Sequence, residues 1–341
     1  MSLSSHLESK SSPVRAWFEE HFPESRSVAR DANRELCGGS DECPVPRIDG
    51  ADASLVGTAV DYLLRACLRV TSIEWTVASE AVQALTADPR IDTHAIEIER
   101  EAVSDIKKLR PSRRTVTDDE WVDLCIRCLV LARFEQFYRA GPMNPGIFDL
   151  LIQPLRQCRD LEQFIELSLS TPTIEDLSRL GRVAWEDQAD LRKARPLVLN
   201  PRFRLSSALG GADADLIARR RLIDWKATTT TGIVGRHQLW QLIGYALADT
   251  TDQFAIHEVS IAALRWRSTV SWPLRDLLEE LAPGPPSKLR MIGGGDTPSR
   301  KAIDLADLRG DFASVVAGVR TNRRLSRRLG RPRKTGRQSG G

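Results

Sequence analysis

Two acidic residues and a lysine are closely spaced between positions 210 and 227 of this 341-residue chain. Asp215 stands in the run Ala-Asp-Ala-Asp-Leu-Ile, and Asp224 and Lys226 stand in the run Leu-Ile-Asp-Trp-Lys-Ala that follows it. Carboxylate oxygens are ligands that Mg²⁺ prefers, and a bound divalent cation can activate a water molecule. These side chains are therefore suited to the cleavage of phosphodiester bonds.

The residues around them predict a β-hairpin. Small or apolar residues alternate with acids over 212–217, and a second run, rich in β-forming residues, covers 222–228. The three arginines between the two runs are typical of a polar turn. Pairing of the two strands would bring their polar faces together.

Strand periodicity assigns the polar side chains to shared faces. Asp213 shares a face with Asp215. Asp224 shares a face with Lys226. Asp215 and Asp224 can each give one oxygen to a divalent cation, and the backbone carbonyl of Trp225 can give a third. Lys226 can then orient the attacking water or offset the charge that grows on the phosphate. The alternative is a solvated hairpin with an ordinary Asp–Lys pair.

An amphipathic helix is predicted for residues 237–248. Gln238, Gln241 and Tyr245 lie at offsets of three and four residues, so they share one face. Leucine and isoleucine side chains supply the surface that this helix buries. Polar groups on such a helix could be aimed at the acids of the hairpin, whereas surface hydrogen bonding is the alternative for Gln238 and Tyr245.

The order and spacing of these motifs resemble the PD-(D/E)xK nuclease superfamily, in its RecB-like branch. Members carry a glycine followed by an aspartate on one strand and an acid-x-Lys motif on the next. A helix that begins with glutamine and carries a tyrosine follows. The resemblance covers residues 210–248, and the corresponding positions are Gly211, Asp215, Asp224, Lys226, Gln238 and Tyr245.

The resemblance implies an α/β (α+β) fold with a restriction-endonuclease-like mixed β-sheet flanked by helices. It also implies dependence on Mg²⁺ or Mn²⁺ and cleavage of DNA or RNA. Asp215 and Asp224 would be the metal ligands and Lys226 the catalytic lysine. Gln238 and Tyr245 would be the supporting pair on the helix.

Two metal-ligand positions stay open. Asp213 competes with Asp215, and we prefer Asp215 because Leu-Ile follows it directly, as in the family pattern. The family also places an acid or a histidine on a helix before the sheet. The candidates for that position are Asp61, within the run Val-Gly-Thr-Ala-Val-Asp-Tyr, and Glu186, just before the predicted sheet.

The cysteines do not match the iron–sulfur cluster that some RecB-like nucleases hold with one cysteine before the nuclease core and three after it. All six cysteines precede the motif region, the last being Cys158, so no iron–sulfur cluster is expected. Cys125 and Cys128 have a helical spacing typical of core packing. Cys37 and Cys43 lie in a predicted loop, and no second pair with zinc-ligand spacing follows them.

The end of the chain is strongly basic. From Arg320 onward there are nine Arg or Lys residues and no acids, and the remaining residues carry 40 basic and 46 acidic side chains, a net charge of −6. Such a segment binds phosphates by counterion release. Its Gly-Arg-Pro-Arg-Lys run resembles an AT-hook, which lies in A·T-rich minor grooves. The residues predicted to bind nucleic acid are Arg323, Arg324, Arg327, Arg328, Arg331, Arg333 and Lys334.

Three regions are predicted along the chain. Residues 1–194 form a mainly helical region that includes a candidate first nuclease helix at 55–68. Residues 195–319 form the nuclease core, beginning with a strand at 197–203, and residues 320–341 form a basic disordered tail. The helices predicted within the first region span 52–87, 92–109, 117–140, 147–169 and 173–193.

The composition is that of an ordinary globular protein, with 41% hydrophobic and 28% charged residues. No apolar run approaches the ~18 residues that a membrane helix needs. The first residues lack the apolar stretch of a signal peptide, and free cysteines without such a signal indicate the cytoplasm.

Together these features predict a metal-dependent nuclease that hydrolyses DNA in preference to RNA, with a role in bacterial DNA processing or phage defence. The chain shows no helicase or ATP-binding motif, so a separate helicase or defence-system subunit is a candidate partner. The alternatives are a catalytically inactive DNA-binding protein that keeps the fold, and a helical scaffold or interaction protein.

Overall fold

The computed structural model describes residues 2–68, 77–87, 94–111, 114–140, 146, 148–212, 214–283 and 303–329, the last ten by their backbone alone. Helices surround one five-stranded mixed β-sheet, which confirms the predicted fold class. The α-helices are α1 Leu3–Glu8, α2 Pro13–His21, α3 Ser25–Cys37, α4 Ala53–Cys67, α5 Val77–Thr86, α6 His94–Leu109, α7 Asp118–Ala140, α8 Gln153–Gln157, α9 Leu161–Ser168, α10 Thr171–Asp187, α11 Ser206–Leu209, α12 Arg236–Ala248, α13 Leu274–Leu281 and α14 Leu305–Leu329.

The helices from α4 to α10 share a hydrophobic core, here called the helical core, which includes Tyr62, Trp121 and Phe134. The helix predicted at 117–140 begins with the expected capping box. The Glu120 N–H donates to Thr117 Oγ1 at 3.2 Å, and the Thr117 N–H donates to Glu120 Oε2 at 2.9 Å. This local pattern explains why the start of α7 could be predicted to within a residue.

Two helices predicted as continuous are divided. The one predicted at 147–169 consists of a π-helical turn, Phe148–Ile152, followed by α8 and α9. The division has a local cause, because Asp160 accepts a hydrogen bond from the Gln163 N–H at 2.9 Å and so caps a new helix. Within the predicted 52–87 helix, α4 ends at Cys67 and α5 begins at Val77.

The first three helices pack away from the helical core. Their apolar residues join a second core, here called the sheet core, in which Phe18 lies beside Trp240 and Phe312. The predicted region 1–194 is therefore divided between two cores. Its first helices support the sheet, and only the helices from α4 onward form the helical core.

The strands are β1 Leu197–Leu199, β2 Leu216–Ala218, β3 Arg221–Lys226, β4 Glu258–Ala263 and β5 Ser268–Pro273. They lie in the sheet in chain order, and every neighbouring pair is antiparallel except β3 and β4, which are parallel. The helix α12 connects that parallel pair, since parallel strands need a crossover. The first strand ends sooner than the predicted 197–203, at Leu199, and Asn200 follows with a left-handed φ of 49°.

The predicted hairpin is formed by β2 and β3. Arg219 and Arg220 make its turn with φ values of 51° and 65°, the left-handed conformation that matches the twist of a two-residue hairpin. Ile223 and Trp225 of β3 face the helical core, whereas Leu222 faces the sheet core. Because side chains alternate, Asp224 and Lys226 point to the same side as Leu222, toward α12.

The last helix departs from the predicted disordered tail. α14 continues to Leu329, so the first part of the segment 320–341 has a helical backbone. Phe312 and Val316 fix the earlier turns of this helix in the sheet core. Residues 330–341, which carry Arg331, Arg333 and Lys334, lie outside the described residues. Among the helices described, none has the length and apolar character to cross a membrane.

Candidate active site

The two acids of the hairpin lie opposite each other. Leu216 of β2 pairs with Ile223 of β3, so Asp215, one residue earlier, is opposite Asp224. The Trp225 N–H donates to Asp215 Oδ2 at 2.6 Å, which ties the first carboxylate to the strand that carries the second. Opposite residues of an antiparallel pair share a face, so both carboxylates lie on the α12 side of the sheet.

Lys226 completes this group. Its Nζ lies 2.6 Å from Asp224 Oδ2, and the two side chains are 25% and 11% exposed. The pairing follows from strand geometry, since residues two apart on a strand point to the same face. Asp215, Asp224 and Lys226 therefore form one cluster of charges, as the sequence pattern predicts.

Burial and the neighbouring charges shift the pKa values within this cluster. Burial and the neighbouring charge of Asp224 raise the pKa of Asp215 to about 6, although Lys226 and the Trp225 N–H act in the opposite direction. Burial acts to lower the pKa of Lys226, but Asp224 and Asp215 together raise it above its usual value. The lysine is therefore a cation at neutral pH, and Asp215 keeps its proton to a higher pH than an isolated aspartate.

The polar face of α12 contributes Tyr245 and Gln241. Gln241 Nε2 donates to the Tyr245 hydroxyl at 2.6 Å and to Ser4 Oγ at 3.0 Å. Burial, Asp224 and Asp215 raise the pKa of Tyr245, so its hydroxyl stays protonated. The charges of both acids therefore act on Tyr245.

The contacts of Gln238 differ from those that the resemblance implies. Its Oε1 accepts a hydrogen bond from the Gly235 N–H at 3.0 Å, which caps the beginning of α12. The partner of Tyr245 is therefore Gln241, four residues before it, and not Gln238. Both glutamines satisfy the helical period, so the spacing could not separate a capping glutamine from one that faces the acids.

The two candidates for the helical ligand lie in different surroundings. Asp61 pairs with Arg65 on α4, with Nε at 2.9 Å from Oδ1, and the charge of Arg65 acts to lower the pKa of Asp215. α4 therefore lies within electrostatic reach of the hairpin acids. Glu186 is exposed, and its charge acts on Arg267. Asp213, the competitor of Asp215, lies outside the described residues.

Further charged groups near the site belong to α7. The charge of Arg139 acts on Lys226 and Tyr245, and Arg139 Nε donates to the buried Glu135 at 2.6 Å. Glu135 also accepts a hydrogen bond from the Tyr62 hydroxyl at 2.6 Å. Sequence reasoning missed these residues. The i,i+4 spacing of Glu135 and Arg139 was visible, but nothing in it relates α7 to a hairpin so distant along the chain.

The donor set suits a hard divalent cation. Among the described residues no three His, Cys, Asp or Glu side chains come together as a metal group. Asp215 and Asp224 nevertheless present two carboxylates to the same space, and a cation there would relieve the repulsion that raises the pKa of Asp215. Mg²⁺ commonly takes only one or two carboxylates and keeps several waters, so a pair of acids is a sufficient protein contribution.

Cys125 and Cys128 are fully buried in the helical core together with Cys67. Burial raises the pKa of all three thiols. They therefore behave as small apolar side chains, as their helical spacing indicates.

No protein-family profile, curated protein or solved structure matches this chain.

Proposed function

We propose that this protein is a metal-dependent nuclease of the PD-(D/E)xK type that hydrolyses phosphodiester bonds of DNA. The observation that carries the proposal is the position of Asp215 opposite Asp224, with Lys226 on the same face of the sheet. The antiparallel β1–β2–β3 arrangement, followed by the α12 crossover to the parallel strand β4, supports it. This is the kind of helix-flanked mixed sheet that the resemblance implies.

Asp215 and Asp224 would hold Mg²⁺ or Mn²⁺, with the Trp225 carbonyl as a further oxygen donor. Such an ion polarises the phosphodiester and lowers the pKa of water. Lys226 is a cation held beside Asp224, so it can offset the negative charge that develops on the phosphate. Tyr245, held by Gln241 and protonated, can donate a hydrogen bond to a backbone phosphate.

The preference for DNA rests on the basic C-terminal segment. Its arginines and lysines can neutralise phosphates without reading a sequence, and the AT-hook-like run adds a preference for A·T-rich minor grooves. A cytoplasmic role in bacterial DNA processing or phage defence, with a separate helicase or defence-system subunit as partner, belongs to the same proposal.

A cleavage assay tests this function. The purified protein is incubated with linear and circular, single- and double-stranded DNA, and with RNA, in Mg²⁺, Mn²⁺ or EDTA. We expect metal-dependent cutting of DNA that is abolished in Asp224→Ala and Lys226→Ala. Binding of DNA without any cutting would favour an inactive DNA-binding protein, and neither binding nor cutting would favour a scaffold.

A further inference from the structure

A polar cleft of about 490 Å³ opens beside the strand that carries Asp224 and Lys226. We call it the threonine cleft, because Thr228, Thr229 and Thr230, which follow Lys226 and Ala227, form one wall. The opposite wall is the first part of α4, with Ser54, Gly57 and Thr58, and Arg47 also lines the cleft. Its volume lies within the range of about 300–1,000 Å³ that ligand pockets occupy.

The chemistry of the lining suits an anion. Five hydroxyl-bearing residues and Arg47 line the cleft, and none of its lining residues is acidic. Arg47 is exposed and has no ion-pair partner within the part of the chain that the structure describes. Hydroxyl, guanidinium and backbone N–H groups are the donors that proteins use to contact phosphate oxygens.

Two of the three segments that carry these groups, the threonine wall and the segment of Arg47, are held by one buried ion pair. Arg265 binds Asp176, and both side chains are almost completely buried. Arg265 Nε donates to the Ala227 carbonyl at 2.8 Å, which holds the beginning of the threonine wall. Asp176 Oδ1 accepts from the Ile48 N–H at 3.1 Å, which holds the residue after Arg47. The cleft is therefore largely preformed, which reduces the entropic cost of binding.

One face of α4 runs from the cleft toward the surroundings of the acids. Gly57, Thr58, Asp61 and Arg65 follow each other along the helix, with Gly57, Asp61 and Arg65 spaced four residues apart, so they lie on one side of it. Arg65, at the far end of that row, acts electrostatically on Asp215. A chain of phosphates that lies in the cleft would therefore extend toward the hairpin acids.

Gly57 leaves the α4 wall of the cleft open. A Cβ atom added there would meet nothing within 4 Å, and the glycine lies inside a helix, where this residue is unfavourable. Packing against the protein does not require a glycine at this position. A close approach of a ligand to the helix backbone would require one.

We propose that the threonine cleft binds a phosphate of the DNA backbone that flanks the bond to be cut. This inference rests on the proposed nuclease function and extends it to the non-reacting part of the substrate. Arg47 neutralises the phosphate, the threonine wall and Ser54 donate hydrogen bonds to it, and Gly57 allows the strand to approach α4.

DNA binding measured by fluorescence anisotropy in EDTA tests this site independently of cleavage. We expect Gly57→Glu, which places a carboxylate in the cleft, to weaken binding by more than about tenfold. Arg47→Gln should weaken binding and reduce the slope of log K against log salt by about one. Gly57→Ala should weaken binding less than Gly57→Glu, because its methyl group has space within the protein but hinders the approach of the strand to α4.

Gly310→Glu is the matched control, since Gly310 is also a helical glycine with open space at its Cβ position. Thermal melting of each variant checks the fold. Equal decreases of affinity in Gly57→Glu and Gly310→Glu would refute phosphate binding in the cleft, and so would wild-type affinity in Gly57→Glu. Neither result would contradict the nuclease proposal. A wild-type protein that binds no DNA would overturn both.

A scan of single methylphosphonate substitutions, each of which makes one phosphate neutral, locates the bound phosphate. In the wild type we expect several positions to weaken binding when they are made neutral, and one of them, near the cut, is the phosphate that Arg47 contacts. In Arg47→Gln the same substitution should have little further effect, because the two changes remove the same interaction. Independent, additive effects at every position would contradict a contact between Arg47 and one phosphate.

Discussion

At the scale of single residues, the site brings two carboxylates so close together that their repulsion opposes the ionisation of both. Asp215 is half-buried, tied to the Trp225 N–H, and opposite Asp224, and these surroundings raise its pKa to about 6. The positive charge of Lys226 offsets part of the repulsion, but one cation does not balance two carboxylates. A site that is electrostatically incomplete without a cation is expected where a protein binds a metal ion.

The raised pKa of Asp215 has a consequence for stability. Its folded-state pKa of about 6 is above the value of 3.8 for an ordinary aspartate, so the folded protein binds this proton more tightly than the unfolded chain. Stability should fall as the pH rises from about 4 to 6 and stay lower above that. In EDTA at pH 7, Asp215→Asn should raise the free energy of unfolding by about 1–3 kcal/mol, with little effect at pH 4.

Thermal melting across this pH range makes the measurement. Asp187→Asn, at a surface aspartate paired with Arg267, is the control for a change of one charge. A lower melting temperature of Asp215→Asn at pH 7 than that of the wild type would contradict the assigned repulsion.

Substitutions of the two glutamines of α12 should affect different properties, one the stability of the protein and the other its cleavage rate. Gln238→Ala removes the cap on the Gly235 N–H and should cost about 1 kcal/mol of stability with an unchanged cleavage rate. Gln241→Ala frees the Tyr245 hydroxyl and should lower the rate instead. Melting curves and initial cleavage rates of both variants test this, and a greater decrease of rate in Gln238→Ala would reverse the assignment.

Strand period was sufficient to predict that Asp215, Asp224 and Lys226 come together, because a hairpin leaves few ways to pair two short strands. It could not identify Arg65 or Arg139, whose approach to the site depends on tertiary packing. Nor could the helical period choose between Gln238 and Gln241. Periodicity assigns residues to faces, whereas contacts between distant elements depend on the whole core.

At the scale of elements, the buried pair of Arg265 and Asp176 connects the loop after β3 to α10 and to the segment around Ile48. Removal of one partner leaves the other as an uncompensated buried charge. We expect Asp176→Ala to lower the free energy of unfolding by about 3–5 kcal/mol, measured by urea denaturation. The double variant Asp176→Leu/Arg265→Met should be less destabilised than Asp176→Ala, and a double variant that is at least as unstable would contradict this.

Local side-chain signals mark individual element boundaries. The Thr117–Glu120 capping box marks the start of α7, and Asp160 marks a helix start that was overlooked within 147–169. The position of α1–α3 could not be predicted. An amphipathic sequence shows that a helix has an apolar face but not which of two cores will bury it.

At the scale of the whole molecule, the basic C-terminal segment follows a helix that is anchored in the sheet core by Phe312 and Val316. Truncation before Arg320 keeps this anchor and removes nine basic residues. We expect weaker DNA binding and a shallower salt dependence, by roughly 0.7–0.9 in slope for each phosphate that the segment neutralises in the full chain. Cleavage at low salt and saturating DNA should persist.

A second truncation, after Leu329, removes only the AT-hook-like run and the residues beyond it. Its affinity for A·T-rich and G·C-rich duplexes measures the share of that run in binding. If neither truncation changes the affinity or its salt dependence, the segment is not a DNA anchor.

The initial rate of DNA cleavage by isosteric site variants tests the central claim most directly. We expect the wild type to cut DNA in Mg²⁺ or Mn²⁺ and not in EDTA. Asp224→Asn and Lys226→Met should be at least about 10²-fold slower, while Asp187→Asn keeps the wild-type rate. A wild type without metal-dependent cutting, or Asp224→Asn and Lys226→Met variants that melt and cut like the wild type, would contradict the proposed nuclease site.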